Sequence, residues 1–268
     1  MQIIRMFLLL ATLTLLSVSC QKEGAGKFDD VPVVESYLSP GHHIRVTVSY
    51  KTPYDESVIS YADDISNLDI IVITGGTEYH LIPAGNGIYE DTLGRISVMP
   101  DSTYSLHFVY NDLQVTSTTI IPYKPQDVTQ SDTVIKMSQF DPDNPSGNTQ
   151  PDPVEITWSN SDEDYYLVTV ECMEQDLVPI IKDSVPANDI FASQPITGTS
   201  LDIQPMMFRY FGKNRIILYH INPEYSIFFM RQASSSQNYE EPPSNISNGL
   251  GIFTGINADT LYIRIIQQ

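Results

Sequence analysis

Two cysteines carry the most distinctive chemistry in this sequence, and the first of them, Cys20, closes an apolar segment. Arg5 supplies a positive charge near the start, residues 6–16 are mostly apolar, and Ser17 and Ser19 are small residues just before the cysteine. This order is typical of a cleaved secretory signal. A thiol directly after the cleavage point can be acylated. The pattern therefore predicts that residues 1–19 are removed and that Cys20 carries lipid.

Ordinary secretion is the alternative, because Ser17 and Ser19 also suit a small-residue cleavage site that would leave Cys20 as a free thiol. The apolar run is shorter than the roughly 20 residues that a membrane-spanning helix needs. Cys172 is the other cysteine, and two cysteines make no disulfide framework of the kind that small secreted domains use. We expect Cys172 to be a small core residue, and residues 20–30 to be a lipidated tether.

Histidine, serine and acidic residues show no spacing that selects a catalytic or metal site. The five histidines are scattered, without a His-x-x-x-His pair, and there is no Gly-x-Ser-x-Gly nucleophile motif or phosphate-binding loop. Acidic residues at 141–144 and at 162–164 suggest Ca²⁺, but neither run has the ligand order of a calcium loop. The sequence therefore predicts no catalytic residue, no metal and no cofactor, and a protein that is not an enzyme.

Five Asp-Ser/Thr-apolar triplets resemble a bacterial O-glycosylation signal. Their hydroxyl-bearing residues are Thr92, Ser102, Thr133, Ser184 and Thr260. The same dipeptides are common where a turn leads into a strand, so a purely structural reading stays open. Exposed turns are accessible to modifying enzymes, and on that ground we expect modification of at least one of the five.

Composition favours an acidic, all-β protein. The formal net charge is −19, and a surface of that sign repels nucleic acid, whose binding requires clustered lysine and arginine. Sixteen tyrosines and eighteen prolines, with many β-branched residues, are typical of strands and turns. Nucleic-acid function is therefore excluded, and the expected fold is two immunoglobulin- or fibronectin-like β-sandwich domains behind the signal peptide.

The first sandwich is predicted over residues 31–122. Residues 31–38 read as a strand with Pro32 suited to a sheet edge, and residues 44–50 alternate strictly between apolar and polar positions. Gly75-Gly76 and Asn111-Asp112 mark tight turns. Tyr104, after a Pro-Asp turn, resembles the tyrosine corner of such sandwiches.

The second sandwich-like domain is predicted over residues 127–268, after a short linker between Pro122 and Pro125. Trp158 is the expected core anchor, and a helical turn is possible at 206–211. The predicted strands cover residues 154–158, 165–173, 216–221, 226–231, 250–253 and 260–266. A long polar loop at 232–249 is the candidate binding surface, with Tyr239, Asn245 and Asn248 as its candidate contacts.

Three stretches together resemble a known family. They are Val-Val-Glu-Ser-Tyr-Leu at 33–38, Ile-Ile-Pro at 120–122, and Pro-Ser-Asn-Ile-Ser-Asn-Gly-Leu-Gly-Ile-Phe at 243–253. This order is similar to that of the Bacteroidota outer-membrane lipoproteins described as domain of unknown function 4249. The resemblance implies an outer-membrane lipoprotein, often encoded beside a TonB-dependent receptor, and it assigns no activity. Gly251 and the Asn248-Gly249 pair are interpreted first as a structural turn and second as a ligand loop.

These observations lead to one functional expectation and one alternative. The expected protein is held in the outer membrane by its N-terminal lipid, and Gln21-Lys22-Glu23 resembles an export signal to the extracellular face. There it would act as a binding or accessory module, with a TonB-dependent receptor as partner. The alternative is a structural or adhesive surface protein, which would assemble through an unpaired edge strand.

Overall fold

The computed structural model describes residues 30–51, 64–144, 150–184, 190–233 and 243–268. The signal peptide, Cys20 and Tyr239 lie outside these residues. Within them the chain forms sixteen strands, one α-helix and one turn of 3-10 helix at Pro205–Met207. In chain order the strands are β1 (Pro32–Leu38), β2 (Arg45–Tyr50), β3 (Ile71–Thr74), β4 (Thr77–His80), β5 (Ile82–Gly85), β6 (Ile88–Glu90), β7 (Thr103–Tyr110), β8 (Leu113–Ile120), β9 (Gln126–Gln130), β10 (Val134–Met137), β11 (Val154–Ser159), β12 (Tyr165–Cys172), β13 (Ile190–Ala192), β14 (Ser200–Ile203), β15 (Gly212–Ile221) and β16 (Leu250–Gln267). The helix, α1 (Pro223–Ala233), follows β15.

The prediction of an all-β, sandwich-type fold is confirmed. A nine-stranded central sheet runs in the order β13-β12-β15-β16-β1-β2-β6-β5, with β10 paired to β16. A four-stranded sheet, β4-β3-β7-β8, shares the first core with one half of it, and a three-stranded sheet, β14-β11-β9, shares the second core with the other half. Several strands bury the apolar face that their alternation supplies, as in β11, where Val154, Ile156 and Trp158 are buried.

The long strand β16 joins the two halves of the molecule. It pairs in parallel with β1 from Leu250 to Gly255 and antiparallel with β15 from Ile256 to Ile265. The prediction of two separate strands at 250–253 and 260–266 is therefore wrong. The residues between these two predicted strands, 254–259, suggested a break, but they continue the strand. Gly255 lies so close to the backbone of Ile120 that a Cβ at this position would come within 2.6 Å of the Ile120 carbonyl oxygen. Asn257 is buried and donates its side-chain amide to the carbonyl of Pro122 at 2.9 Å.

The course of β16 also bears on the division into domains. Ile246 and Phe253 belong to the first core, whereas Ile263 and Ile265 belong to the second. The chain therefore returns to the first core near its end, which the prediction of two consecutive units over 31–122 and 127–268 did not include.

Pro32 is in a strand paired on both sides rather than at an edge; it is tolerated because pairing with β16 begins one residue later, at Val33.

Several local predictions in the first half are confirmed. Asn111 and Asp112 have φ values of 49° and 57° and close the hairpin of β7 and β8. Gly75-Gly76 closes the hairpin of β3 and β4. The Tyr104 hydroxyl donates to the carbonyl of Ser97 at 2.8 Å and accepts the N–H of Met99 at 2.9 Å, which is the bonding of a tyrosine corner.

The strand predicted at 226–231 is wrong, because these residues lie in α1. Pro223 fits the first helical position, Glu224 adds an acid to the first turn, and the carbonyl of Asn222 accepts the N–H groups of Tyr225 and Ser226. The rings of Tyr225 and Phe229 lie 6.3 Å apart, as expected for side chains four residues apart on a helix. The apolar run inside this segment suggested a strand, and the start signal before it was missed. The helical turn expected near Met206 is the short 3-10 turn.

Candidate functional site

The predicted contacts Asn245 and Asn248 hold the segment 243–249 against the first half of the molecule. The side chain of Asn245 donates to the carbonyl of Phe253 at 2.8 Å and accepts the N–H of Phe253 at 3.0 Å. The exposed side chain of Asn248 donates to the carbonyl of Gln114 at 2.8 Å. Both amides therefore bind backbone within the chain, and their geometry supports the turn interpretation of this segment.

The five candidate glycosylation residues differ in accessibility. Thr92 and Thr133 are exposed, whereas Ser102, Ser184 and Thr260 are half-buried. The hydroxyl of Ser184 donates to the carbonyl of Ile181 at 2.7 Å. Thr260 lies within β16, opposite Ile217, and not at a turn, so the argument from exposed turns does not apply to it.

The residues expected to be inert lie in unremarkable surroundings. Cys172 is half-buried, and burial raises the pKa of its thiol, which keeps it protonated. Asp141, in the first acidic run, bonds to the Lys182 ammonium at 3.0 Å, and this contact holds the pKa of the Asp141 carboxyl below its usual range. Among the described residues, no group of three or more His, Cys, Asp or Glu side chains is placed to hold a metal ion.

A polar cleft forms where the linker meets the second half. We call it the junction cleft. Its volume is about 440 Å³, and linker residues 123–126, the β11–β12 connection and the ends of β12 and β15 surround it. The residues that line it are Tyr123, Lys124, Gln126, Ser159, Asn160, Ser161, Asp162, Asp164, Tyr166 and His220. This size lies within the usual range for small-molecule sites.

His220 is fixed at the base of the junction cleft. It pairs with Tyr166 across β12 and β15, and the two rings stack with centroids 4.8 Å apart. Its Nδ1 donates to the carbonyl of Tyr123 at 2.8 Å, since a carbonyl can only accept, and its Nε2 lies 3.2 Å from a carboxylate oxygen of Asp164. Both ring nitrogens therefore face acceptors within the protein.

The acidic wall of the cleft is held by Asn160. Its side-chain amide donates to the carbonyls of Asp164 at 2.9 Å and Thr197 at 2.8 Å, and its side-chain oxygen accepts the N–H of Asp164 at 2.9 Å. These bonds fix the loop that carries Asp162 and Asp164. Burial, followed by the charges of Asp164 and Asp162, raises the pKa of Tyr166, so its phenol stays neutral beside two carboxylates.

The opposite wall of the cleft is formed by the linker. The side chain of Tyr123 is 59% exposed, and its hydroxyl is hydrogen-bonded to Asp101, which raises the pKa of the phenol. The Lys124 ammonium lies 2.8 Å from the carboxylate of Asp259. The one lysine at the cleft is therefore paired with an acid that is not among the lining residues.

A second concave surface lies on the opposite face of the central sheet. We call it the aromatic groove: a cavity of about 270 Å³ lined by Tyr37, Leu167, Thr169, Tyr219, Ile221, Tyr225 and Ile256. Leu167 and Tyr219 are cross-strand partners, and their sequence neighbours Val168 and Leu218 point into the second core. The groove therefore lies on the sheet face turned away from that core.

Three tyrosines dominate the aromatic groove. The rings of Tyr37 and Tyr225 meet edge to face with centroids 5.7 Å apart. Burial, followed by the nearby carboxylate of Glu35, raises the pKa of Tyr37 well above its usual range, and burial raises the pKa of Tyr225 in the same direction. These phenols are neutral at any physiological pH, and they present flat amphipathic rings of the kind found at protein interfaces.

The fold defines an all-β, sandwich-built protein, whose described residues form the junction cleft and the aromatic groove among their concave surfaces. The chain belongs to the family described as domain of unknown function (DUF4249), whose family model matches residues 23–261. No curated protein matches the sequence. A crystal structure of the chicken CNTN1 FN1–FN3 domains is similar at 12% identity, over 88% of this chain and 67% of that chain, with a TM-score of 0.22. At that score the likeness carries no argument about function.

Sequence reasoning did not find either concave site. The lining residues of the junction cleft come from three separated stretches, and the β12–β15 register that places Tyr166 beside His220 brings two of them together. Asp162 and Asp164 were noted only as an acidic run. For the groove, the sequence held a usable signal: β12 and β15 carry large apolar residues at consecutive positions, which places apolar side chains on both faces of the sheet.

Proposed function

We propose that this chain is a lipoprotein of the outer membrane, anchored through Cys20 and facing the cell exterior, that acts as a non-catalytic binding or accessory module beside a TonB-dependent transporter. The family-matched region starts three residues after Cys20, and β1 starts at Pro32. About ten residues of tether span at most roughly 35 Å when extended, so the folded body would stay close to the membrane. Among the described residues, no helix is long and apolar enough to cross a membrane.

The observation that carries the binding role is the aromatic groove. The groove is a concave surface of about 270 Å³ lined mainly by apolar and aromatic side chains, and tyrosine is enriched at the centres of protein interfaces. In the chain, α1, which carries Tyr225, leads into the predicted binding loop at 232–249.

The end strands of the central sheet are poor sites for the strand addition that the structural or adhesive alternative requires. The central sheet ends in β5, a four-residue strand containing Pro83, and in β13, a three-residue strand. Short edges and proline are the features by which proteins prevent strand-to-strand assembly. In the four-stranded sheet the edge strand β8 is longer, and its residue Thr116 is bridged to Ser247.

The arrangement of His220 argues against hydrolase chemistry in the junction cleft. A serine nucleophile needs a histidine whose free lone pair faces the hydroxyl. Here Nδ1 donates to the carbonyl of Tyr123, and Nε2 faces Asp164 rather than Ser159 or Ser161. Ser159 instead donates to the carboxylate of Asp127 at 2.6 Å.

The test is recovery of the partner from outer membranes solubilised in mild detergent. A tagged wild-type chain should co-purify with a TonB-dependent transporter, and Tyr37→Ala combined with Tyr225→Ala should lower that recovery at least about tenfold, since interface tyrosines are each worth about 2 kcal/mol. Tyr262→Ala is the matched control, because Tyr262 is exposed on the same sheet face but lies outside the groove. Equal recovery with the groove variant and the control would contradict the proposal.

A further inference from the structure

The junction cleft is a site separate from the aromatic groove. Tyr166 comes directly before the groove residue Leu167 in β12, and His220 lies between the groove residues Tyr219 and Ile221 in β15. Both side chains therefore project from the other face of the central sheet. Nothing in the proposed docking role uses this cleft. Its chemistry therefore points to a ligand of its own.

The cleft lining holds two carboxylates, and of these Asp164 faces a group that can carry positive charge, the imidazole of His220. Asp162 makes no hydrogen bond or ion pair with the described residues, and Asp164 faces only the Nε2 of His220. Lys124, the one lysine at the cleft, is held by Asp259. Burial, and after it the charges of the same two carboxylates, raises the pKa of Tyr166. A positively charged group entering the cleft would meet acceptors without displacing an existing cation from Asp162.

The wall formed by Tyr123 adds a second element of recognition. Its ring is open to solvent, and it is held at both ends: the hydroxyl bonds to Asp101 and the backbone carbonyl accepts from His220. The electron-rich face of a tyrosine ring attracts cations, and it favours guanidinium, whose planar shape stacks on the ring. The carboxylates of Asp162 and Asp164, which line the same cleft, supply the acceptors that guanidinium bonds best.

From this arrangement we propose that the junction cleft binds a guanidinium group, such as an arginine side chain of a peptide, between the ring of Tyr123 and the carboxylates of Asp162 and Asp164. The loop that carries the two acids is fixed by Asn160, so little ordering is needed on binding. The charges are partly exposed to water, so each contact is modest and the affinity depends on salt.

The experiment titrates the mature full-length chain in detergent with N-acetyl-arginine amide and follows amide resonances by NMR. N-acetyl-citrulline amide is the matched probe, because it has nearly the same shape without the charge. We expect shifts at residues 123–126 and 160–166 with the arginine probe, and at least about fivefold weaker binding of the citrulline probe. Raising the salt from about 0.05 M to about 0.5 M should weaken binding of the arginine probe about threefold.

Asp162→Asn tests the residue assignment, with Asp202→Asn as its control. Both aspartates are exposed, neither makes a side-chain contact that would threaten the fold, and the substitution is identical. Asp162→Asn should weaken the arginine probe about threefold or more, and Asp202→Asn should leave it unchanged. Equal affinity for the two probes, equal effects of the two substitutions, or shifts confined to residues outside the cleft would each overturn the proposal. None of these outcomes bears on the transporter test, which depends on the other face of the sheet.

Discussion

Gly251 is the residue at which the structure makes its sharpest prediction. It lies in β16 opposite Val34 of β1, with φ at +102°, and a Cβ placed there would come within 2.0 Å of the carbonyl oxygen of Val34. Alanine at this position would be strained in its own backbone and would also force the two strands apart. Gly85 has a similar φ of +92°, but a Cβ there meets nothing within 4 Å.

The comparison of Gly251→Ala with Gly85→Ala separates these two effects. The unusual φ should cost about 1–3 kcal/mol in both variants. The backbone clash is present only in Gly251→Ala and should raise its total above about 4 kcal/mol, a large share of the 5–15 kcal/mol that a typical domain has. Urea unfolding followed by circular dichroism measures both variants against wild type.

Tryptophan fluorescence provides a second reading of the same experiment. Trp158, the single tryptophan, is buried in the second core, whereas Gly251 lies beside the first. Because β16 carries residues of both cores, Gly251→Ala should lower the midpoint of the fluorescence transition as well. If Gly251→Ala and Gly85→Ala destabilise equally within about 0.5 kcal/mol, the reasoning about the β1–β16 contact is refuted.

Three further predictions concern the candidate site residues. Asn245→Ala removes two hydrogen bonds to Phe253 and should cost about 2–3 kcal/mol in urea unfolding. Asn248→Gly suits the φ of 56° at that position, removes one exposed bond and should cost under about 1 kcal/mol; equal losses would contradict the positioning role of Asn245. The raised pKa values of Tyr37 and Tyr225 mean that folding favours the neutral phenols, so this stabilisation is present below the ordinary pKa near 10 and is lost as pH rises above it. The double variant Tyr37→Phe with Tyr225→Phe should therefore show a smaller fall in unfolding free energy above about pH 10 than the wild type. An unchanged slope would contradict the burial of these rings. Peptide mass spectrometry of native protein should find any O-glycan at exposed Thr92 or Thr133 and not at Thr260, which lies inside paired β16; glycan at Thr260 alone would contradict this order.

Local patterns in the sequence predicted the local structure well. The alternation of residues 44–50 predicts the buried face of β2, and the turn at Asn111-Asp112 and the tyrosine corner of Tyr104 are both present. These features depend on residues that are neighbours in the chain. Helix α1 was missed although Asn222, Pro223 and Glu224 are a usable start signal, because the apolar run that follows outweighed it.

Features that depend on distant pairing could not be predicted from the sequence. β16 is continuous because Gly255 and Asn257 meet the chain at 120–122, and no local pattern reports that contact. The junction cleft exists because the linker carbonyl at Tyr123 reaches His220, 97 residues later in the chain. Composition and motifs therefore predicted the fold class and the family, whereas the two concave sites required the three-dimensional structure.

The central claim is that lipid on Cys20 holds this body in the outer membrane. Intact-mass and N-terminal peptide mass spectrometry on protein extracted from purified outer membranes tests it most directly. The account predicts a mature chain that starts at Cys20 and carries acyl groups on that residue. A mature chain with an unmodified Cys20 thiol, or one recovered without detergent from the soluble fraction, would contradict it.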